Sequence, residues 1–102
     1  MLQIRPNCEC CDRDLPVDSA DARICSYECT FCASCVENVL LNVCPNCGGG
    51  FVPRPIRPAI ARRDGVSRIH QPPSEKPIHS PYTREQLHEF ARRFSAIAPE
   101  ER

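Results

Sequence analysis

The sequence predicts a small metal-stabilised α+β fold followed by an amphipathic helix, and three observations lead to this prediction. Nine cysteines occur in 102 residues, all between Cys8 and Cys47, and most stand in Cys-x-x-Cys pairs. A Pro-rich basic segment follows them, and a stretch with helical periodicity follows that segment. The predicted units are a cysteine domain over residues 1–52, a linker over 53–81, a helix over 82–98 and a disordered end over 99–102.

A short hairpin and one helix are predicted among the cysteines. Residues 22–25 and 29–32 alternate as paired strands do, with Ile24 and Phe31 as the inward-facing side chains. Four apolar residues then recur at i, i+3, i+4 and i+7, namely Val36, Val39, Leu40 and Val43. This spacing predicts about two turns of helix between the third and fourth cysteine pairs.

The C-terminal half is predicted to contain a linker and one amphipathic helix. The segment over 53–81 carries seven prolines and few large apolar residues, which is typical of an extended or disordered linker. Beyond it, Thr83 is the predicted N-cap of a helix, with Gln86 at the capping-box position. The apolar face of this helix consists of Leu87, Phe90, Ala91, Phe94 and Ile97. Such a face needs a covering surface, so we expect it to dock on a cysteine domain, in cis or in trans, with a homodimer through Leu87, Phe90 and Phe94 as one form. Binding of a partner protein by this face is the next alternative.

Eight of the nine cysteines have the spacing of metal-ligand pairs. Disulfides are the weakest explanation, because the cysteine count is odd and Cys-x-x-Cys pairs dominate. If Cys10 is omitted, the remaining eight thiols suffice for two tetrahedral zinc sites of four cysteines each. In Cys44-Pro-Asn-Cys47, the proline favours the turn, and Gly48 can adopt the left-handed conformation that follows the second ligand.

An iron–sulfur cluster is the alternative to zinc. The spacing of Cys29, Cys32 and Cys35 matches part of the bacterial ferredoxin run. That run requires its fourth cysteine three residues further on, whereas eight residues separate Cys35 from Cys44 here. The sequence therefore favours zinc.

The order of the cysteines resembles that of a RING finger, a treble-clef zinc fold. Residues 29–35, Cys-Thr-Phe-Cys-Ala-Ser-Cys, match the centre of the RING pattern, with Cys29 where that family usually has histidine. The N-terminal half is also similar to a family of small bacterial cysteine-rich proteins of unknown function. The motifs are Arg-Pro-Asn-Cys-Glu-Cys-Cys-Asp at 5–12, Cys-Thr-Phe-Cys at 29–32 and Cys-Pro-Asn-Cys-Gly-Gly at 44–49.

The RING resemblance implies cross-braced ligation, in which alternate cysteine pairs share an ion. Site 1 would then consist of Cys8, Cys11, Cys32 and Cys35, and site 2 of Cys25, Cys29, Cys44 and Cys47. Sequential ligation is also compatible with the spacing, with one site formed from Cys8 to Cys29 and the other from Cys32 to Cys47.

The charge distribution bears on partners and location. Residues 1–52 have three basic and seven acidic side chains, whereas residues 53–102 have ten basic and six acidic ones, so the two halves carry −4 and +4. Thiolate ligands make the first half more negative still, so nucleic-acid binding would depend on the basic tail and is disfavoured. No apolar run suits a signal peptide or a membrane span, which predicts a cytoplasmic protein.

The function predicted from these features is protein–protein interaction, with structural zinc ions and no catalysis. Four cysteines per ion leave no open coordination position for a substrate. Cys10 is either a spare thiol, an alternative ligand or an oxidisable group, so a thiol-based redox or metal sensor is the second hypothesis. The three histidines lie far in sequence from the ligand pairs and are predicted to be solvated.

Overall fold

The computed structural model describes residues 1–102 and shows a small α+β fold, as the sequence predicts. The elements in chain order are β1 (Ala22–Ile24), β2 (Thr30–Cys32), α1 (Ala33–Asn38), β3 (Val52–Pro53), α2 (Arg84–Phe94) and a 3₁₀ turn (Pro99–Glu101). The strands form one antiparallel sheet in the order β2-β1-β3. No helix is long and apolar enough to cross a membrane.

The predicted hairpin is present, and both of its inward-facing residues are buried. β1 and β2 pair with Arg23 opposite Phe31 and Ile24 opposite Thr30. Ile24 and Phe31 both belong to the buried core. The third strand was not predicted; next to it, the ring of Phe51 packs edge-on against Phe31 with centroids 5.4 Å apart.

The helix among the cysteines begins earlier and ends earlier than its apolar spacing predicts. It starts as soon as β2 ends, so Cys35 lies within it, and its last residue is Asn38. Leu41 and Asn42 then adopt positive φ angles of 49° and 60°. Two left-handed residues cannot continue a right-handed helix, so Val43 reaches the core through a turn instead.

Cysteines form a large part of the buried core. The central cluster has 13 residues: Cys8, Leu15, Ala22, Cys25, Cys29, Phe31, Cys32, Cys35, Val36, Val39, Leu40, Cys44 and Leu87. Because nearly half of these side chains are thiols, ordinary apolar packing holds only part of the core together. The state of the thiols therefore decides how stable the fold is.

The Pro-rich segment contacts the cysteine domain, and hydrogen bonds from the buried side chain of Arg54 hold the two together. The guanidinium of Arg54 donates hydrogen bonds to the carbonyl oxygens of Arg5 (2.8 Å), Leu15 (3.3 Å) and Pro16 (2.8 Å). Burial lowers the pKa of Arg54. Further on, the amide and carbonyl of Ile78 bond the side chain of Asn7 at 3.1 and 2.8 Å. The assignment of this segment as a linker between units stays a prediction.

Helix α2 has the predicted capping box and docks in cis through part of its apolar face. The Thr83 hydroxyl accepts from the Gln86 amide at 3.1 Å, and the Gln86 side chain accepts from the Thr83 amide at 2.9 Å. Leu87 and Ala91 are buried, whereas the rings of Phe90 and Phe94 are half-buried, with centroids 5.0 Å apart. Leu87 therefore packs within its own chain, and a homodimer through this face stays a prediction.

The residues after α2 are also held against the cysteine domain. Whereas the sequence indicated no order for 99–102, a 3₁₀ turn covers Pro99–Glu101. The guanidinium of Arg102 donates to the carbonyl oxygens of Asn42 at 2.8 Å and Gly48 at 3.2 Å. This end of the chain thus lies beside the turn that carries Cys44 and Cys47.

Candidate metal centres

Four thiols from distant parts of the sequence form the first cluster. The Sγ atoms of Cys8, Cys11, Cys32 and Cys35 all lie within 4.8 Å of one another. The Sγ atoms of Cys11 and Cys32 are 3.8 Å apart. A tetrahedral ion with metal–sulfur bonds of about 2.3 Å requires sulfur–sulfur edges of about 3.8 Å. The donor set and its spacing therefore suit a zinc-sized ion.

The second cluster unites three of the four cysteines predicted for it. The Sγ atoms of Cys25, Cys44 and Cys47 lie within 4.8 Å of one another, and Cys29 is not part of this group. Cys29 is nevertheless adjacent, because its carbonyl accepts from the Cys25 amide at 3.2 Å and its sulfur accepts from the Asn46 side-chain amide at 3.3 Å. The assignment of Cys29 as the fourth ligand stays a prediction.

The turn that carries Cys44 and Cys47 is closed by two backbone hydrogen bonds. The Cys44 amide donates to the Gly49 carbonyl at 2.8 Å, and the Gly48 amide donates to the Cys44 carbonyl at 2.7 Å. Gly48 has φ +79°, the left-handed conformation that the sequence predicted for it. The Gly49 amide donates to the Cys47 sulfur at 3.4 Å.

The turn that carries Cys8 and Cys11 repeats the same two bonds. The Cys8 amide donates to the Arg13 carbonyl at 2.9 Å, and the Asp12 amide donates to the Cys8 carbonyl at 2.9 Å. Asp12 has φ 62° and takes the place that Gly48 has in the other turn. Sequence reasoning missed this equivalence, although aspartate directly after the second cysteine is a usable signal because it tolerates the left-handed region.

Strand β2 separates two cysteines whose sequence spacing resembles a ligand pair. Cys29 directly precedes the strand and Cys32 ends it. Three extended residues span about 10 Å, too far for both thiols to bind one ion. Cys32 accordingly joins the first cluster, with Cys35 supplied by α1, whereas Cys29 lies beside the second.

Burial favours the protonated form of four of these thiols in the absence of metal. It raises the pKa of Cys8 to about 11 and raises those of Cys29, Cys35 and Cys44 as well. Cys11 differs: although its partial burial acts in the opposite sense, hydrogen bonds from the Arg13 backbone and neighbouring thiols lower its pKa. A metal ion must therefore displace protons from the buried thiols as it binds.

One arginine side chain lies near each cluster, and sequence reasoning assigned neither. Burial opposes the charge of Arg5, yet hydrogen bonds to Glu9 and to Cys29 raise its pKa overall. The pKa of Arg13 is raised by its bond to Asp21 at 3.0 Å and by the thiols of Cys32 and Cys11. A divalent ion with four thiolates carries a net charge of −2, which these cations partly offset.

A buried carboxylate joins the first turn to the sheet. Glu9 is nine-tenths or more buried, and its Oε2 accepts from the Thr30 amide at 2.6 Å and from the Arg5 guanidinium at 2.8 Å. The Glu9 amide donates to the Thr30 carbonyl at 3.0 Å. Glu9 thus connects the turn of the first cluster to β2, which runs between the two clusters.

Cys10 and the histidines lie outside both clusters, although Cys10 is close to one of them. Cys10 is half-buried, packs against the core and stands between Cys8 and Cys11 in the first turn. Each histidine bonds elsewhere: His70 to the Ser67 hydroxyl, His79 to Asp12 and His88 to the Val39 carbonyl. No histidine is placed as a metal ligand.

Comparison with known proteins gives a family without an assigned activity. A family model described as "Protein of unknown function (DUF1272)" matches residues 1–57. The uncharacterised protein R02474 of Rhizobium meliloti (strain 1021) is 70% identical over 59 residues, which cover 58% of this chain and 70% of the relative. No solved structure matches the chain. The family match includes all nine cysteines and excludes α2.

Proposed function

The chain belongs to the DUF1272 family of proteins of unknown function, and we propose that it is a cytoplasmic adaptor in which two structural zinc ions support a protein-binding surface. The observation that carries the proposal is the first thiol cluster, in which four cysteines approach within 4.8 Å. The distance of 3.8 Å between the sulfurs of Cys11 and Cys32 matches the edge of a tetrahedral zinc site.

The proposed ligation is cross-braced, as in the RING resemblance. Site 1 takes its first two thiols from the Cys8 turn and the others from the end of β2 and α1. Site 2 takes Cys44 and Cys47 from the second turn and Cys25 from the hairpin, with Cys29 as its fourth ligand. The grouping of the thiols supports this pairing, and so does the extended backbone between Cys29 and Cys32.

Bound zinc would cross-link chain segments that are distant in sequence. A closed four-thiolate shell leaves no coordination position for water or substrate, so the proposed ions do not catalyse a reaction. The chain's own groups prepare the sites: the two turns bring their sulfurs within 4.8 Å of the other thiols of each cluster, and Arg5 and Arg13 offset thiolate charge. Because the proposed ions do not catalyse, the function we assign to the surface of this module is to bind another protein.

The test of the adaptor function compares capture by folded and metal-depleted protein. Wild-type protein immobilised through an N-terminal tag should retain a defined partner from native cytosol. The Cys8→Ser/Cys11→Ser variant should lose that partner, and the Cys10→Ser variant should keep it. Equal retention by all three proteins, or a visible-absorbing iron chromophore in the purified sample, contradicts the proposal.

A thiol-based redox sensor is the second candidate, favoured by the packing of Cys10 against the core that contains Cys35, with which it would form a disulfide. Hydrogen peroxide would oxidise these two thiols to a disulfide and be reduced to two waters, and site 1 would thereby lose a ligand. The test is stoichiometric peroxide on zinc-loaded protein with a chromogenic chelator. Release of one zinc from wild type but none from Cys10→Ser supports a sensor, whereas equal release from both contradicts it.

A further inference from the structure

An open groove lies between the second cysteine turn and helix α2. Its volume is about 550 Å³, and its apolar lining includes Pro45, Tyr82 and Phe90. Tyr82 is 47% exposed, and Phe90 is half-buried. No residue of the Pro-rich segment before Tyr82 lines this groove, so the chain does not fill it with its own linker.

Acidic side chains line the same groove. Glu85 and Glu89 both contribute to it, both are exposed, and neither forms a salt bridge within the chain. Arg93 also lines the groove, and its guanidinium lies over the ring of Phe94 at 5.5 Å from the centroid. The groove thus offers an apolar floor with two free carboxylates, which suits a ligand with both aliphatic and basic side chains.

A surface with that chemistry occurs elsewhere on the chain. We name residues 56–69 the basic loop. Its exposed aliphatic side chains are Ile56, Ile60, Val66 and Ile69, which are between 49% and 78% exposed. Arg62 and Arg63, at the tip of the loop, are exposed and form no salt bridge within the chain. Aliphatic groups concentrated in one exposed loop are a common mark of an interaction site.

Hydrogen bonds at its two ends hold the basic loop in a defined shape. The Arg68 amide donates to the Pro58 carbonyl at 2.8 Å, which brings the two ends of the loop together. Arg57 donates to the carbonyl oxygens of Gln71 at 2.7 Å and Leu2 at 2.6 Å. Because the loop is ordered before it meets a partner, little conformational entropy is lost when it binds.

We propose that the occupant of the groove is the basic loop of a second copy of this chain. The inference rests on the proposed interaction function and names its partner. In a twofold dimer, each protomer inserts its loop into the groove of the other, so Arg62 and Arg63 meet Glu85 and Glu89 across the interface. Ile60 stands two residues before Arg62 and supplies the aliphatic contact to Phe90 and Tyr82.

Charge complementarity distinguishes this occupant from others. The formal charge of the chain is 0 without metal, and two four-thiolate zinc sites of −2 each would bring it to about −4, so the attraction must come from the local charges of the groove and the loop. The four charged residues of the proposed contact are all exposed and form no salt bridge within the chain. Their reversal removes no ion pair from the fold, although arginine at position 85, in the first turn of α2, is less favourable for the helix dipole.

The test is the mass of zinc-loaded full-length protein in sedimentation equilibrium over a concentration series. Wild type should form dimers. The variants Glu85→Arg/Glu89→Arg and Arg62→Glu/Arg63→Glu should each dimerise on the order of 100-fold more weakly, because like charges then face each other. An equimolar mixture of the two variants should recover dimers, since the reversed loop of one matches the reversed groove of the other.

Two control variants carry the same changes in net charge at exposed positions outside the groove and the loop. Asp18→Arg/Glu75→Arg and Lys76→Glu/Arg92→Glu should dimerise like wild type. A wild type that stays monomeric to about 1 mM overturns the inference, as does dimerisation that survives both charge reversals. If that monomer retains two zincs and captures a different protein, the adaptor function stands and only its partner changes. If wild type forms dimers but retains no partner from native cytosol, the adaptor function is overturned instead.

Discussion

Truncation of Leu87 to alanine should release α2 from the cysteine domain without unfolding the domain. The Leu87 side chain is 2% exposed and is the only member of the 13-residue core that comes from α2. Leucine-to-alanine changes at such sites cost about 2–5 kcal/mol. An 11-residue helix is marginal in isolation, so lost docking energy should appear as opening and fraying of α2.

Amide hydrogen exchange of the zinc-loaded protein measures this effect by residue. Exchange within α2 should accelerate by about 30-fold or more in Leu87→Ala, because each 1.36 kcal/mol changes an equilibrium tenfold. The hairpin amides should be unaffected, since the proposed zinc sites hold them independently. Arg92→Ala, at an exposed position of the same helix, should change exchange little. Unchanged protection of α2 in Leu87→Ala, or equal loss of protection in the hairpin, refutes this reasoning.

Three further predictions concern the thiol sites and their supports. Arg54→Met should lower the free energy of unfolding by about 1–3 kcal/mol, because carbonyl oxygens that accept from Arg54 lose their donor. Chemical denaturation measures this change, and Arg62→Met, at an exposed position, is the control. Zinc affinity should rise with pH, because burial raises the pKa of Cys8 to about 11 and its proton must leave when zinc binds. Calorimetry in buffers of different ionisation enthalpy should detect this proton release. If no proton is released at neutral pH, the prediction is contradicted. In competition with a chelator, the zinc-binding free energy of Asp12→Gly should be more favourable than that of Asp12→Val by about 1–2 kcal/mol, because only glycine accepts φ 62° freely. Equal zinc retention by the two variants contradicts the role given to that turn.

Local sequence signals located several elements of this fold. The alternation around Ile24 and Phe31 predicted the hairpin, and Thr83 with Gln86 predicted the start of α2. Gly48 after Cys47 predicted a left-handed residue at that position. In each case the side chain or the backbone freedom of a residue acts on its near neighbours in the chain, so a short window of sequence contains the cause.

Contacts between distant residues account for most of what the sequence did not show. Charged residues are usually exposed, so nothing local indicates that Glu9 and Arg54 are buried. Arg54 is satisfied by carbonyl groups 38 to 49 residues away, and only the folded chain brings them together. The apolar spacing up to Val43 predicted a helix that ends too late. The left-handed turn at Leu41 and Asn42 brings Val43 to the core without helix.

The measurement that tests the account most directly is thiol protection in the Cys8→Ser/Cys11→Ser variant after zinc loading. Elemental analysis of wild type should give two zincs per chain and no iron, and the variant should keep one zinc. Alkylation followed by mass spectrometry should modify Cys32 and Cys35, whose cluster has lost two ligands. The thiols that stay protected should be Cys25, Cys29, Cys44 and Cys47. Protection of Cys32 and Cys35 with alkylation of Cys25 and Cys29 would mean sequential ligation and would contradict the account.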